Sequence, residues 1–446
     1  MDINQLIKER SLRVAVIGLG YVGLPMAVEM AEAGYTVYGI DIHPGKIASL
    51  RSKRSYVIDV PDEALQPLIG SFLFPGTDFS VLAQAEVAVI CVPTPLDLNN
   101  RPDVSYIRSA VDGILPYLRQ GTLVILESTT YPGTTEELVS GAIAGRKSWT
   151  VGQDFYVCYS PERVDPGSTA YQIRNTPKVI GGSTPACLAA GAAFYGSFLE
   201  RVVPVRSTAV AEAAKLFENT FRSVNIALVN ELTPVCEQMG IDIWEVLDAA
   251  ATKPFGYMPF YPGPGIGGHC IPVDPLYLSW KSEQLGLPVE FIGLADRTHR
   301  LMPVRMAGRI GELLRKEGKK LEGARVVVSG IAYKKDVDDI RESPALALFE
   351  QLKKLGAEVS YHDPHIPSFE LDGQSCHSRT AGPELWSAAD IVVIATDHTA
   401  VDYQEMADHA PLIFDTRYAT RSCRGGNIVV LGRPPAPEGG TPVGQQ

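Results

Sequence analysis

A chain of 446 residues exceeds the size at which one hydrophobic core keeps growing, so two or three domains are expected. With 45% hydrophobic and 20% charged residues it has the composition of an ordinary soluble globular protein, and its net charge of -11 argues against general affinity for nucleic acid or an anionic membrane, leaving a small-molecule partner as the better fit. The seven cysteines, Cys91, Cys158, Cys187, Cys236, Cys270, Cys376 and Cys423, form no C-x-x-C pair and no zinc spacing, so neither a disulfide framework nor a structural metal is expected.

The first ten residues hold no apolar run of signal-peptide length, and nowhere do about 18 apolar residues follow one another. A cytoplasmic protein is expected. Arg13 to Ile17 reads as a short strand, followed by Gly18-Leu19-Gly20-Tyr21-Val22-Gly23 and a helical stretch from Leu24 to Ala33. A second strand, Thr36 to Ile40, ends in Asp41, where a carboxylate can hydrogen-bond an adenosine ribose. Strand, glycine turn, helix, strand and acid together predict a dinucleotide site, with the pyrophosphate on the free N–H groups of the helix. Asp41 favours NAD over NADP, because a 2′-phosphate would meet a carboxylate.

Strands at Val87 to Val92 and Leu123 to Leu126 run into the turns Pro93-Thr94-Pro95 and Glu127-Ser128-Thr129-Thr130. In a parallel sheet such turns lie where ligands bind, although Pro, Ser and Thr are also ordinary turn residues. Phe155 to Tyr159 leads to Ser160-Pro161-Glu162-Arg163, placing Glu162 just past a strand end as a candidate general base or a solvated surface residue. Lys178 to Gly182 reads as the last strand of this series.

From Thr208 to Gly240 apolar residues recur every three or four positions, predicting one long helix of about 30 residues despite Pro234. Lys215 and Asn219 share a face of it, where a cation and an amide can hold one oxyanion; a solvated lysine is the plainer alternative. Asp242 to Ala250 reads as a further helix. The aromatic run Phe255, Tyr257, Phe260 and Tyr261 then suits either a platform for a ring-shaped ligand or core packing. The stretch Gly263-Pro264-Gly265-Ile266-Gly267-Gly268-His269-Cys270-Ile271-Pro272-Val273-Asp274 reads as a glycine-rich loop delivering a thiol, since four glycines and two prolines from Gly263 to Pro272 argue against a regular helix or strand, so Cys270 is a candidate nucleophile.

After a helical bridge from Val289 to Gly318, strands at Arg325 to Ser329, Glu358 to Tyr361, Ile391 to Ala395 and Leu412 to Phe414, with a helix at Ala345 to Leu355, signal a second parallel sheet. Its first turn lacks a full G-x-G-x-x-G and carries Lys334, Lys335 and Arg341, suited to phosphate or sugar hydroxyls. The fold class is thus α/β: two Rossmann-like, doubly wound parallel-sheet domains, at 1–200 and 319–432, joined by a central all-helical domain at 201–318, with a disordered tail at 433–446. The long helix also suggests a homodimer.

The segments GLGYVG, PTP, ESTTYPGTT, SPER, AEAAKLFENT, GPGIGGHCIPVDP and AYKKDVDDIRES, in that order over residues 10 to 430, resemble the nucleotide-sugar 6-dehydrogenases that include UDP-glucose and GDP-mannose dehydrogenases. The wording FGYMPFYPGPGIGGHCIPVDPLYLSW looks most like the branch acting on UDP-N-acetylglucosamine or related UDP-N-acetylhexosamines, whose products commonly serve bacterial surface polysaccharides. Arg163-Val164-Asp165 departs from the continuation common in UDP-glucose enzymes. The resemblance implies a four-electron oxidation of a sugar C6 alcohol to a carboxylate, with two NAD⁺ used in turn and a thiohemiacetal and thioester on Cys270. It implies Glu162 as base for hydrolysis, Lys215 and Asn219 as anion stabilisers, Asp274 as an orderer of water or carrier of the first proton, and Thr129 as a holder of water or the substrate hydroxyl. Cofactor contacts carried over are Gly18, Gly20, Tyr21, Val22, Gly23, Asp41, Lys46, Pro93, Thr94, Ser128, Thr129 and Arg341. Substrate contacts are Glu162, Arg163, Lys215, Asn219, Tyr261, Gly265, Gly267 and Lys334. A two-electron 2-hydroxy-acid dehydrogenase leaves Cys270 and the second sheet without a role, and a non-catalytic NAD(H) sensor has no need of Glu162, Lys215, Asn219 and Asp274 together.

Overall fold

The computed structural model of the protein describes residues 3–9, 11–163 and 171–434. Val164, Asp165 and the expected tail from residue 435 onward lie outside them. Arg433, expected to open that tail, is tied to Asp242 through its Nε at 2.6 Å. Among the described residues no helix is long and apolar enough to cross a membrane. The chain divides into two compact units, Met1–Asn219 with Val273–Pro288, and Thr220–Pro272 with Val289–Gln446.

The first unit is built on eight strands: β1 (Arg13–Ile17), β2 (Thr36–Ile40), β3 (Leu73–Gly76), β4 (Val87–Ile90), β5 (Leu123–Leu126), β6 (Tyr156–Tyr159), β7 (Lys178–Gly182) and β8 (Val202–Val205). Their order is β3-β2-β1-β4-β5-β6-β7-β8, the Rossmann order extended at one edge. β1 to β6 are parallel, β7 runs antiparallel to β6, and β8 is parallel to β7. Alternate residues of β1 enter different cores. Val14 and Val16 pack with Leu24, Ala27 and Met30 of the helix Gly23–Glu32, whereas Ala15 and Ile17 pack with Ile107 and Ile114 of the helix Ser105–Ile114. Burial on both faces is what makes these strands read as continuous apolar runs.

Strands β3 and β8 escaped the sequence reading. Their segments, Leu73-Phe74-Pro75-Gly76 and Val202-Val203-Pro204-Val205, each contain a proline, and both strands lie at the outer edges, where a missing N–H costs no ladder bond.

The long helix Thr208–Gln238 begins in the first unit and ends in the second, passing through Pro234. Near its start the fully buried Glu212 accepts the backbone N–H groups of Gly133 (2.6 Å) and Thr135 (2.8 Å) and the Thr135 hydroxyl (2.6 Å), fastening the segment after β5 to the helix.

The second unit carries β9 (Arg325–Ser329), β10 (Glu358–His362), the hairpin β11 (Ser368–Leu371) and β12 (Gln374–His377), then β13 (Ile391–Ile394), β14 (Ile413–Asp415) and β15 (Ile428–Val430). Its main sheet has the order β10-β9-β13-β14-β15 and is parallel throughout. Here too neighbours along a strand part company: Val326 and Val328 enter one core, Val327 the other. The hairpin turns on Asp372-Gly373, both in the left-handed region, a two-residue hairpin signal carried by the sequence.

Replacing Glu212 by alanine orphans three donors, two of them buried. The expected loss is roughly 3 kcal/mol, read as a fall in the melting temperature of the first calorimetric transition, with Glu212→Gln intermediate.

Candidate active site

Sterics alone demand the glycine turn after β1. A Cβ on Gly18, whose φ is +92°, would come within 2.5 Å of the Cys91 carbonyl oxygen, and one on Gly23 within 1.8 Å of the Gly18 oxygen. A Cβ on Gly20 would meet no protein atom within 4 Å. That residue opens a space beside Tyr21 and Val22 at the start of the helix Gly23–Glu32, a cradle fitting a pyrophosphate. Asp41, the first residue past β2, accepts the Leu19 N–H on Oδ2 and the His43 N–H on Oδ1, both at 2.9 Å, with Lys46 Nζ 3.2 Å from Oδ2. The acid is therefore fixed against the turn it serves. These residues fit a dinucleotide.

Past β4, the carbonyls of Thr94 and Pro95 accept the Tyr277 hydroxyl, at 2.5 and 3.1 Å, which pins the Pro93-Thr94-Pro95 turn. Past β5, Ser128 donates its hydroxyl to the Val92 carbonyl at 2.7 Å, and Thr129 stays partly exposed. Asp274 is not the end of a loop but the first residue of the helix Asp274–Gln284. It is 2% exposed and accepts Asn219 Nδ2 at 2.5 Å; the Lys215 charge also acts on it. Burial pushes its carboxyl up to about 7 against the opposing pull of Lys215 and the Asn219 hydrogen bond. Lys215 and Asn219 are both buried, so this face of the long helix is not a solvated one.

Glu162, past β6, is mostly shielded. Its Oε1 accepts the Arg163 N–H at 2.7 Å, and its Oε2 lies 3.4 Å from Lys178 Nζ. The Arg163 guanidinium, expected at the substrate, is engaged by Glu218 (2.8 Å) and the Pro177 carbonyl (2.8 Å). Lys178 was read only as the start of a strand.

In the second unit the glycine-rich loop lies against the turn after β9. Gly263 donates its N–H to Asn230 Oδ1 at 3.0 Å, and Gly268 to the Arg341 carbonyl at 2.9 Å. A Cβ on Gly263 would run 2.6 Å from Arg417 Nη1, on Gly265 3.0 Å from Pro344 Cβ, and on Gly267 2.7 Å from Tyr333 Cβ. Close packing of protein on protein is thus one physical reason for these glycines. Arg341 is fixed by Asp339, with Nη2 2.6 Å from Oδ2, and reaches His269 Nδ1 at 3.1 Å. Cys270, next in the chain, carries a thiol of intermediate burial. Tyr261 stacks on Trp244 with centroids 5.8 Å apart and donates to Asp248 at 3.0 Å, and Phe260 packs edge-on to Phe221. Lys334 is half-buried, while Lys335 is exposed beside Asp397. Arg417 went unnoticed in the sequence; the signal was an arginine two residues past β14, the same place relative to a strand end as other site candidates.

Asp336, His365 and His398 bring ligand-type atoms within 4.8 Å of one another. His398 Nδ1, however, accepts the Asp336 N–H at 3.0 Å, its Nε2 pairs with Asp363 at 3.0 Å, and the Asp336 carboxylate takes the Thr399 N–H and hydroxyl. The cluster works as a hydrogen-bonded clasp on the turn after β9.

Residues 12–199 match the NAD binding domain of the UDP-glucose/GDP-mannose dehydrogenase family, residues 209–300 its central domain, and residues 327–422 its UDP binding domain. The chain is 34% identical over 417 residues to a UDP-N-acetyl-D-glucosamine 6-dehydrogenase of Pseudomonas aeruginosa, covering 92% of this chain and 97% of that one. It is 37% identical over 390 residues to a UDP-N-acetyl-D-mannosamine dehydrogenase of Pyrococcus horikoshii, covering 87% and 90%. The solved structure of a UDP-D-ManNAc dehydrogenase from Pyrococcus horikoshii superposes with a TM-score of 0.86 at 33% identity over 95% of this chain and 99% of that one. With three consecutive domain matches and the dinucleotide cradle in place, the chain belongs to the UDP-glucose/GDP-mannose dehydrogenase family, NAD-dependent dehydrogenases of nucleotide sugars.

Proposed function

We propose that this enzyme oxidises the C6 hydroxyl of a UDP-N-acetylhexosamine, with UDP-N-acetylglucosamine as the first choice of sugar, to the uronic acid in the cytoplasm. The observation that carries the reading is the buried trio of Lys215, Asn219 and Asp274, in which a carboxylate titrating at about 7 sits with a cation and an amide donor. Such a trio suits proton transfer to and from oxygen near neutral pH. UDP-N-acetylmannosamine is the second reading, favoured by the 37% identity to the Pyrococcus horikoshii enzyme of that name.

Bound NAD⁺ supplies a two-electron acceptor at each of the two oxidations. Gly20 would let the pyrophosphate approach at the tight turn that Gly18 and Gly23 make possible, with Tyr21 and Val22 in the same turn; Asp41 would take the ribose, with Lys46 beside it, and Pro93, Thr94, Ser128 and Thr129 would line the nicotinamide side. Arg341 would be a further cofactor contact. Tyr261, Gly265, Gly267 and Lys334 would hold the nucleotide sugar, while the Arg163 guanidinium is already engaged by Glu218 and the Pro177 carbonyl. Asp274 receives the C6 hydroxyl proton as the first hydride leaves. Cys270 thiolate then adds to the aldehyde, and Lys215 and Asn219 stabilise the resulting oxyanion. Loss of the second hydride gives a thioester. Glu162 takes a proton from the attacking water, Thr129 holds that water, the C–S bond breaks, and the acid leaves with Cys270 regenerated as a thiolate.

The long helix supports a homodimer. Phe221, Leu228, Leu232 and Val235 are exposed along one face of it, each at least 44%. Leu228→Glu combined with Leu232→Glu is expected to shift the chain to monomers in equilibrium sedimentation.

Two further outcomes test the chemistry. The parent enzyme releases two NADH per sugar, and Cys270→Ser releases acid at least about a thousandfold more slowly; acid release at the parent rate would remove the thioester route. In single turnovers the first hydride transfer falls as pH drops through about 7, because Asp274 must be ionised to accept a proton. Asp274→Asn loses that limb and about a hundredfold or more in rate. The raised carboxyl also binds its proton more tightly in the folded chain, so stability falls as pH rises from the unfolded value of about 4 towards 7, and Asp274→Asn flattens this slope in urea titrations.

A further inference from the structure

Glu162 is one end of a buried chain of charges. Lys178, 4% exposed, places Nζ 3.1 Å from Glu127 Oε2 and 3.4 Å from Glu162 Oε2. Glu127, 1% exposed, accepts the Tyr195 hydroxyl on its other oxygen, and the Lys178 ammonium lies 5.4 Å from the centroid of the Tyr195 ring. Topology explains the meeting. β7 is antiparallel to β6, with Tyr159 opposite Gly181 and Cys158 opposite Gly182. Continuing that register sets Lys178 opposite position 162, so the reversal brings the first residue of β7 to the carboxyl ends of β5 and β6. A parallel β7 would have carried Lys178 to the opposite edge of the sheet.

Two carboxylates and one ammonium share this interior. The other titratable groups facing it are Cys91, Tyr159 and Tyr195, all held neutral by burial, which pushes each well above its usual range. The Arg163 guanidinium is directed to Glu218, and only its backbone N–H meets Glu162. Burial also pushes Glu127 up against the opposing pull of Lys178.

We propose that Lys178 and Glu127 are positioning residues for the hydrolytic step: Lys178 orients the Glu162 carboxylate through Oε2, and the Glu127 charge on the other side of the ammonium keeps Glu162 basic. This rests on reading Glu162 as the base. Water gives its proton to Glu162 as its oxygen bonds the thioester carbon; the C–S bond breaks, its electron pair returns to Cys270 Sγ, and Lys178 and Glu127 remain as a neutral pair. Without Glu127 the lysine acts on Glu162 alone and weakens it as a base. Without Lys178 two like charges face each other, and one of them takes up a proton.

The test is the pH profile of acid release from the accumulated thioester in quenched single turnovers, with NAD⁺ binding used to count folded sites. Glu127→Gln should move the acid limb down by about one pH unit and lower the plateau about tenfold. Lys178→Met should move the limb up, and Lys178→Arg should restore it. The double variant, which removes one charge of each sign and so burdens folding least, should return the limb close to the parent position. Limbs that stay put or move in the same direction, while Glu162→Gln abolishes the limb, would overturn the positioning role and leave Glu162 as the base. Parent-rate hydrolysis by Glu162→Gln would overturn both.

Discussion

Strands covered on both faces leave polar side chains no outlet along their length, because a charge buried without a partner costs several kcal/mol. Both sheets here are covered in that way, and their chemistry is accordingly displaced to the strand ends. Asp41 follows β2, Thr94 lies past β4, Glu127 to Thr129 follow β5, and Glu162 lies past β6. In the second unit Asp363 follows β10, Asp397 lies past β13 and Arg417 past β14. The parallel arrangement gathers these ends on one edge of each sheet. A single reversal, at β7, brings a lysine to the same edge from the other direction.

The glycine-rich loop shows how one sequence feature can carry a different physical meaning from the one first read in it. Four glycines before a cysteine suggest backbone laid open for a ligand. At Gly263, Gly265 and Gly267 a Cβ would instead strike Arg417, Pro344 and Tyr333. These residues bring the loop down onto its own unit, so Cys270 is presented by a clamped segment rather than a loose one. A thiol so held would lose little entropy on attack, which suits the covalent role proposed for it.

Legibility followed locality. The turn from Gly18 to Gly23 and its partner Asp41 lie within one βαβ unit, and the structure joins them through the Leu19 N–H. The long helix was visible from its period, Pro234 notwithstanding. Edge strands β3 and β8 were hidden by prolines that are harmless at an edge. The Lys178 link to Glu127 and Glu162 spans three strand ends, and its logic depends on the direction of β7, which no local pattern encodes; a lysine opening a strand reads as surface. Asp274 was placed in a loop because Gly and Pro precede it, whereas its burial beside Asn219 comes from the helix that it starts.

Hydrolysis and oxidation ask different things of a carboxylate, and the two proposed bases sit in correspondingly different surroundings. Asp274 is enclosed and raised to about 7, so it holds a proton at neutral pH about as readily as it gives one up, which suits shuttling a proton to and from a substrate hydroxyl. Glu162 keeps some access to solvent and leans on a cation that is itself divided between two acids. Environments that separate two acids in this way let one fold assign them to different steps. Moving the Lys178 charge would disturb Glu162, the base proposed for hydrolysis, while leaving the surroundings of Asp274, set by Lys215 and Asn219, as they are.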